Sequence, residues 1–435
     1  MRLKARISTL RGRLRSWEQR HLPNDAQHLF ALTIGIGAIC GMLAVSFHLL
    51  IRGLERLLIE RALQPDNSSW MVWTIVTPTV GGLLAGVALS FLPGARGSGI
   101  PQVKHAFATE GGRVRFRDAL GKFFISAVQI GSGASLGREG PTVHICAGAA
   151  STLGRLTSLP PRSMRRLMPV GVAAGIAAAF NAPIAAVTFT IEEVVGKLDQ
   201  AVLSGVVVAA ALAAVIERSI LGVHPVIEVG HLYQLDHVSS LPLYALLGLA
   251  AALVSIAFTD GLLGVRSWFQ RRTRFPRWAH PAVGGLVTGV LAVAAMRWLG
   301  TGGVTGGGYE TLSHALNGGL SLRVLVALCL AKLVATVMCY SSGGAGGIFA
   351  PSLFVGAMLG GVVGHVDVFA LGHDKNQLGA FALVGMGAVF AGVIRAPITS
   401  VLIIFEMTGG YGLVLPLMLA NTTSYVLARR LRPVP

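Results

Sequence analysis

Long stretches of this chain carry no charged side chain: residues 28–51, 70–92, 167–191, 240–259, 333–364 and 407–428. Several exceed the roughly 20 residues a helix needs to cross the hydrocarbon core of a bilayer. Inside that core the segment must satisfy every backbone N–H and C=O itself, so only helices and closed barrels span it. Barrel strands are short and alternate in polarity, and these unbroken apolar runs do not. The chain therefore reads as an all-α polytopic membrane protein. Its composition agrees, with 53% hydrophobic and 13% charged residues and a mean hydropathy of +0.66.

The formal charge of +17 does not point to nucleic acid, because the basic residues lie between apolar runs and at the ends. They cluster at Arg2–Arg20, Arg162–Arg166, Arg266–Arg277 and Arg429–Arg432. Such clusters mark the cytoplasmic side and anionic head groups, and they draw anions towards the protein. Both termini are basic, so both are expected in the cytoplasm of a cell whose inner membrane holds the chain. Residues 1–27 form a polar, basic segment ahead of the first run. That run is too long for a signal peptide. Residues 5–22 fit either a basic amphipathic helix on the membrane surface or a solvated arm. The four cysteines, Cys40, Cys146, Cys329 and Cys339, sit in apolar runs with no metal or disulfide spacing. They read as small buried apolar residues.

One charged pair interrupts the apolar context. Gly137-Arg138-Glu139-Gly140-Pro141 stands between two uncharged segments, 123–137 and 142–154. A charge at membrane depth costs about 2.5–3.5 kcal/mol even on lenient insertion scales. Gly137 and Gly140 permit close backbone approach, and Pro141 suits the first turn of a helix. A helix is expected to begin near Gly140, with its N–H groups and positive dipole end available to an anion. The competing reading is a surface loop with Arg138 and Glu139 in water.

The chain also repeats itself. Val170-Gly171-Val172-Ala173-Ala174, Ala182-Pro183-Ile184 and Glu192 correspond to Val384-Gly385-Met386-Gly387-Ala388, Ala396-Pro397-Ile398 and Glu406 at a spacing of 214. Lys122 and Gly137 correspond to Lys332 and Gly347 at a spacing of 210. Gly81-Gly82-Leu83 resembles Gly284-Gly285-Leu286. We read two homologous halves, 28–220 and 240–430, joined by a linker at 221–239 and followed by a short end at 431–435. An odd number of crossings in each half would place both termini on one side and make the repeats inverted. Repeats of this kind build many transporters, with the substrate site near the midplane where helices are broken.

Three motifs, each punctuated by glycine and proline, precede expected helices: Gly97-Ser98-Gly99-Ile100-Pro101, Gly137-Arg138-Glu139-Gly140-Pro141 and Gly347-Ile348-Phe349-Ala350-Pro351. Three helix N-termini aimed at one point would supply backbone N–H donors, and Ser98 a hydroxyl donor. An anion held this way meets no fixed cation and can leave again, as permeation requires.

In order and spacing these motifs resemble the three filter motifs of the CLC chloride channels and proton-coupled transporters. Phe180-Asn181-Ala182-Pro183 and Phe405-Glu406-Met407-Thr408 are similar to further signatures of that family. The resemblance covers essentially the whole chain. It implies two inverted repeats of tilted and re-entrant helices, and a homodimer with one pore per subunit. It also implies residue roles. Ser98 and the backbone N–H groups of Ile348 and Phe349 would bind chloride. Glu139 would be the gate and the external proton-transfer group. Glu193, where proton-coupled members carry an acid, would be the internal proton-transfer group. The family's tyrosine after the last transmembrane helix has no counterpart before Pro435, since Tyr425 lies too early.

Chloride and protons are thus the expected substrates, with no cofactor, no metal and no nucleic-acid partner. A chloride–proton exchanger is the leading reading, and a passive, voltage- or pH-gated chloride channel is the alternative. An intramembrane enzyme would need a nucleophile with a base, or a metal pair, at membrane depth. No motif here has that form. Glu193 also permits a bland reading as one of two acids marking a helix end. Glu192 reads as structural, or as part of the dimer interface, because its repeat counterpart is Glu406. Lys122 and Lys332 are expected to snorkel to an interface, with an influence of Lys122 on the anion path as the weaker possibility. His48 and His144 read as packing histidines, and Glu110 and Asp118 as surface residues.

Overall fold

The computed structural model describes residues 25–60, 69–157, 161–196, 200–222, 227, 229–230, 233–272, 275–375 and 377–433. Residues 5–22, read as either an amphipathic helix or a solvated arm, lie outside them, as do most of the segment 1–27, parts of the linker 221–239 and the last two residues of 431–435. The described residues form sixteen α-helices and no strand. In chain order these begin with α1 (Asp25–Glu55), α2 (Trp70–Phe91), α3 (Ile100–Thr109), α4 (Phe116–Gly131), α5 (Glu139–Leu156), α6 (Pro161–Phe180), α7 (Pro183–Phe189) and α8 (Gln200–Leu221). They continue with α9 (Leu241–Arg271), α10 (His280–Leu299), α11 (Tyr309–Leu316), α12 (Leu322–Ser341), α13 (Phe349–Leu371), α14 (Gln377–Ile394), α15 (Pro397–Thr408) and α16 (Val414–Leu431). Eight helices among the described residues are long and apolar enough to cross a membrane.

The chain divides into two compact units, one of residues 1–46, 100–120 and 142–223, the other of 47–99, 121–141 and 224–435. In the first unit, α6 packs against α8. Small residues set the helix spacing there. A Cβ on Gly37 of α1 would stand 3.0 Å from Ala209 Cα, and one on Gly171 would stand 2.6 Å from Cys146 O. Without a hydrophobic force between helices in lipid, such close backbone approach carries much of the association. The thiols of Cys40 and Cys146 each donate to the other's carbonyl, at 3.6 and 3.7 Å. All four cysteines are buried and unbridged.

In the second unit, α13 packs on α14 and α2 on α10. The α2–α10 contact is reciprocal. A Cβ on Gly82 would stand 2.4 Å from Pro281 O, and one on Gly285 would stand 2.0 Å from Pro78 O. A Cβ on Gly86 would meet Trp278 O at 1.9 Å, and one on Gly289 would meet Ile75 Cα at 2.6 Å. Ile75, Pro78, Gly82 and Gly86 stand at one constant offset from Trp278, Pro281, Gly285 and Gly289. A contact that recurs with its partners exchanged is self-complementary, the signature of a two-fold relation between like segments. Nearby, the Ala345 N–H donates to Gln129 Oε1 at 2.7 Å.

The helix breaks repeat as well. Among the described residues, only Asn181 (φ 53°) and Arg395 (φ 67°) are non-glycines with left-handed backbone, and they stand 214 apart. Each ends a helix and lets the chain restart at Pro183 or Pro397. A left-handed residue followed closely by proline is a common helix stop. Asn181 is fixed by Arg218 Nε, which donates to its Oδ1 at 2.6 Å. Arg395 donates to the carbonyls of Arg432 and, at 3.0 Å, Pro433.

The two-fold contact yields a test. Gly82→Val and Gly285→Val should destabilise by similar amounts, about 2–3 kcal/mol from overpacking, read as a lower melting midpoint in detergent. Gly35→Ala, with nothing within 4 Å of its new methyl, should melt at or slightly above the wild type. A large loss in only one of the two valine variants would contradict the reciprocal packing.

Candidate functional site

The second unit holds most of the three glycine–proline motifs, and backbone contacts bind them together. The Gly137 N–H donates to Gly347 O and the Gly347 N–H to Gly137 O, both at 2.7 Å, as an isolated antiparallel bridge between repeat-equivalent residues. The Gly97 N–H donates to Gly344 O at 2.9 Å. Gly140 lies against Ser98 and Gly347: a Cβ there would stand 2.7 Å from Ser98 O and 3.3 Å from Gly347 Cα. Each motif then runs into a helix, α3 at Ile100, α5 at Glu139 and α13 at Phe349. Pro101, Pro141 and Pro351 fall in first turns, where a missing N–H costs nothing. The first-turn N–H groups have no acceptor within their own helix and carry the positive end of its dipole. Ser98 and Phe349 are buried. Phe349 stacks edge-on against Phe390, with ring centroids 5.0 Å apart. The Ile348 side chain packs against Phe258, Leu262 and Val337.

Glu139 is fully buried, at 0% exposure, so the surface-loop reading is set aside. Its two oxygens differ. Oε1 accepts a hydrogen bond from the Tyr309 hydroxyl at 2.5 Å. Oε2 is buried with no hydrogen-bond partner among the described residues. It lies over Gly137, where a Cβ would come within 2.3 Å of it and 3.2 Å of Ala350 N. The absent side chain at Gly137 is what gives the carboxylate its place. The Arg138 guanidinium lies 6.0 Å from the Tyr309 ring centroid, within cation–π range.

Two buried lysines hold the loops. Lys122 and Lys332 are both at 0% exposure, so neither reaches an interface as snorkelling would require. Lys122 Nζ donates to the carbonyls of Arg96 at 3.0 Å and Gly97 at 2.7 Å, immediately before Ser98. Lys332 Nζ donates to the carbonyls of Gly303, Val304, Thr305 and Gly306 at 2.9, 3.1, 3.4 and 2.7 Å, just before Tyr309. The reason is chemical: the irregular loops expose runs of C=O groups that no helix satisfies, and an ammonium brings three donors to one point.

Glu193 belongs to the first unit, on a π-helical turn, Thr190–Val195, that continues α7. Such turns are wider than α-helix and recur at functional sites. Its carboxylate accepts from Lys104 Nζ of α3 at 2.8 Å, with 17% of the Glu193 side chain exposed. Burial pushes its carboxyl above the usual range, while the Lys104 hydrogen bond and charge pull the other way. Its repeat counterpart Met407 is 1% exposed and apolar. Tyr425 lies on α16, where its hydroxyl accepts from Arg429 Nη1 at 2.9 Å at the helix surface.

Three partners escaped the sequence reading: Tyr309, Lys104 and the carbonyl clamps of the lysines. Tyr309 had a signal. The 210-residue spacing sets Gly97-Ser98-Gly99 against Gly307-Gly308-Tyr309, so the second half carries its own version of the first glycine-rich loop. Lys104 had none, because only the fold brings α3 beside the turn that bears Glu193.

Residues 81–429 match the family described as voltage gated chloride channel. The chain is 32% identical to the H(+)/Cl(-) exchange transporter ClcA of Salmonella typhi, over 98% of this chain and 91% of that protein. It is similar in structure to a slow cyanobacterial Cl-/H+ antiporter, with a TM-score of 0.83, 25% identity and coverage of 94% and 95% of the two chains. A CLC-type fluoride/proton antiporter shares the fold, with a TM-score of 0.76, 22% identity and coverage of 93% and 95%.

The lysine clamps lead to a stability test. Lys332→Met strands the carbonyls of Gly303, Val304, Thr305 and Gly306 and should cost about 3 kcal/mol relative to the wild type. Thermal melting of the purified variant reads the difference. A Lys332→Met protein as stable as the wild type would contradict the clamp.

Proposed function

The chain belongs to the voltage gated chloride channel family, and we propose that it is a secondary transporter exchanging chloride for protons. The observation that carries this reading is the buried Glu139 carboxylate, set among the three motif backbones with one oxygen paired and one unpaired. The names of its relatives, exchange transporter and antiporter, agree.

The chemistry follows from a shared preference. A carboxylate and a chloride ion both seek N–H donors and the positive end of a helix, so they compete for one place. An unpaired charged oxygen in a buried site is costly, and a proton on Glu139 Oε2 removes that cost. The neutral side chain then yields its place to the anion. Ser98 and the backbone N–H groups of Ile348 and Phe349 hold the anion in this reading. Glu139 passes protons to and from the external side. Protons cannot follow chloride along N–H donors, so the internal side needs its own titratable group. Glu193 supplies it, since its raised carboxyl holds a proton to higher pH than an ordinary glutamate. The Gly97–Pro101, Gly137–Pro141 and Gly347–Pro351 motifs form the filter. The halves 28–220 and 240–430 are its two inverted repeats, flanked by 1–27, 221–239 and 431–435. Both termini face the cytoplasm, and two copies assemble with one pore each.

Flux in proteoliposomes tests the assignment. Glu139→Gln should pass chloride without proton coupling or pH dependence. Glu193→Gln should lose chloride-driven proton uptake at least tenfold while chloride efflux continues. If either variant still moves protons against their gradient, that residue's role is wrong. If the wild type moves none, the protein is a channel.

A further inference from the structure

The repeat relation places Tyr309 in the second half's version of the loop that carries Ser98 in the first. Each loop is clamped by its own buried lysine through carbonyls just ahead of the residue in question. The two loops have diverged. The first presents a serine hydroxyl beside Gly140 and Gly347. The second presents a phenol hydroxyl that donates to Glu139 Oε1 at 2.5 Å.

Tyr309 sits on a closely packed loop. It follows Gly308, whose left-handed backbone (φ 75°) has no room for a side chain: a Cβ there would stand 2.6 Å from Gly303 O and 2.8 Å from the Phe354 ring. A Cβ on Gly307 would meet the Tyr309 ring at 2.6 Å. The Lys332 clamp fixes the four preceding carbonyls. The phenol is thus carried to the carboxylate by a tightly packed, lysine-bonded loop.

We propose that Tyr309 is a latch on the gate, a positioning residue whose hydroxyl holds the ionised Glu139 side chain in place and opposes its protonation and departure. This rests on Glu139 being the gate. A donor to a carboxylate stabilises the charged form and has nothing comparable to offer the neutral one. Three charged side chains lie around the Tyr309 loop. Arg138 lies next to it in sequence and over the Tyr309 ring. Glu55, at the end of α1, lies beside Gly306 and acts on Tyr309 through space. Lys332 of α12 lies behind the loop, bonded to its carbonyls. Tyr309→Phe leaves all three in place and keeps the ring, so it isolates the hydroxyl.

The experiment is the pH profile of chloride–proton exchange by reconstituted full-length protein. Tyr309→Phe should raise the pH at half-maximal turnover by about one unit, a tenfold easier protonation, with the chloride-to-proton ratio unchanged. Placing 3-fluorotyrosine at position 309 preserves the shape and makes the hydroxyl a stronger donor, so the midpoint should move to lower pH. In a Glu139→Gln background neither change should alter chloride flux more than twofold. An unmoved midpoint in both single variants, or an equal effect in the Glu139→Gln background, would overturn the latch. If Glu139→Gln itself stays proton-coupled, the gate assignment fails first. If it uncouples while the tyrosine variants are silent, only the latch fails.

Discussion

The backbone pair between Gly137 and Gly347 is the contact on which the site depends. Two N–H groups and two carbonyls satisfy one another at 2.7 Å in a stretch that no helix covers. In a bilayer an unsatisfied backbone group costs several kcal/mol, so irregular chain at that depth must pair with other protein. Glycine suits both positions. A Cβ on Gly347 would press on Gly140 N at 3.0 Å and Gly137 O at 3.1 Å, and one on Gly137 would displace the Glu139 carboxylate. The same two residues therefore close the backbone account and make room for the charge.

Everything else near Glu139 is arranged around groups that would be costly alone. Lys122 and Lys332 are buried charges that would be prohibitive without partners, and the loop carbonyls would be costly without donors. Brought together, each answers the other. Such a site is rigid wherever its groups are paired and labile where one is not. Glu139 Oε2 is one buried oxygen that pairing leaves out. On this account, exchange arises from one carboxylate left half-satisfied beside paired backbone.

Much of this was legible in the sequence because membrane insertion leaves plain marks. The uncharged runs 28–51, 70–92 and 240–259 become single helices, while 167–191, 333–364 and 407–428 are each split by a helix break; the repeat offsets reappear as exchanged contacts between α2 and α10 and as matched left-handed breaks at Asn181 and Arg395. The three glycine–proline motifs were legible as loops before helices because glycine and proline report backbone geometry directly. Side-chain partners were not. A lysine at the edge of an apolar run looks the same whether it snorkels or turns inward, and only the loop before Ser98 or Tyr309 decides. Tyr309 stood outside any family signature quoted from the sequence, although the repeat offset marked its loop. The compact units also do not follow the two halves, since residues 47–99 and 121–141 cluster with 224–435. Packing follows which faces meet and not which segments share ancestry.

The central claim is that one buried carboxylate couples two ion movements. It is tested most directly by the reversal potential of the purified, reconstituted protein under crossed chloride and proton gradients. The account predicts a reversal potential that moves with both gradients, displaced from the chloride equilibrium potential whenever a pH difference is imposed. A reversal potential that follows chloride alone at every pH difference would contradict it.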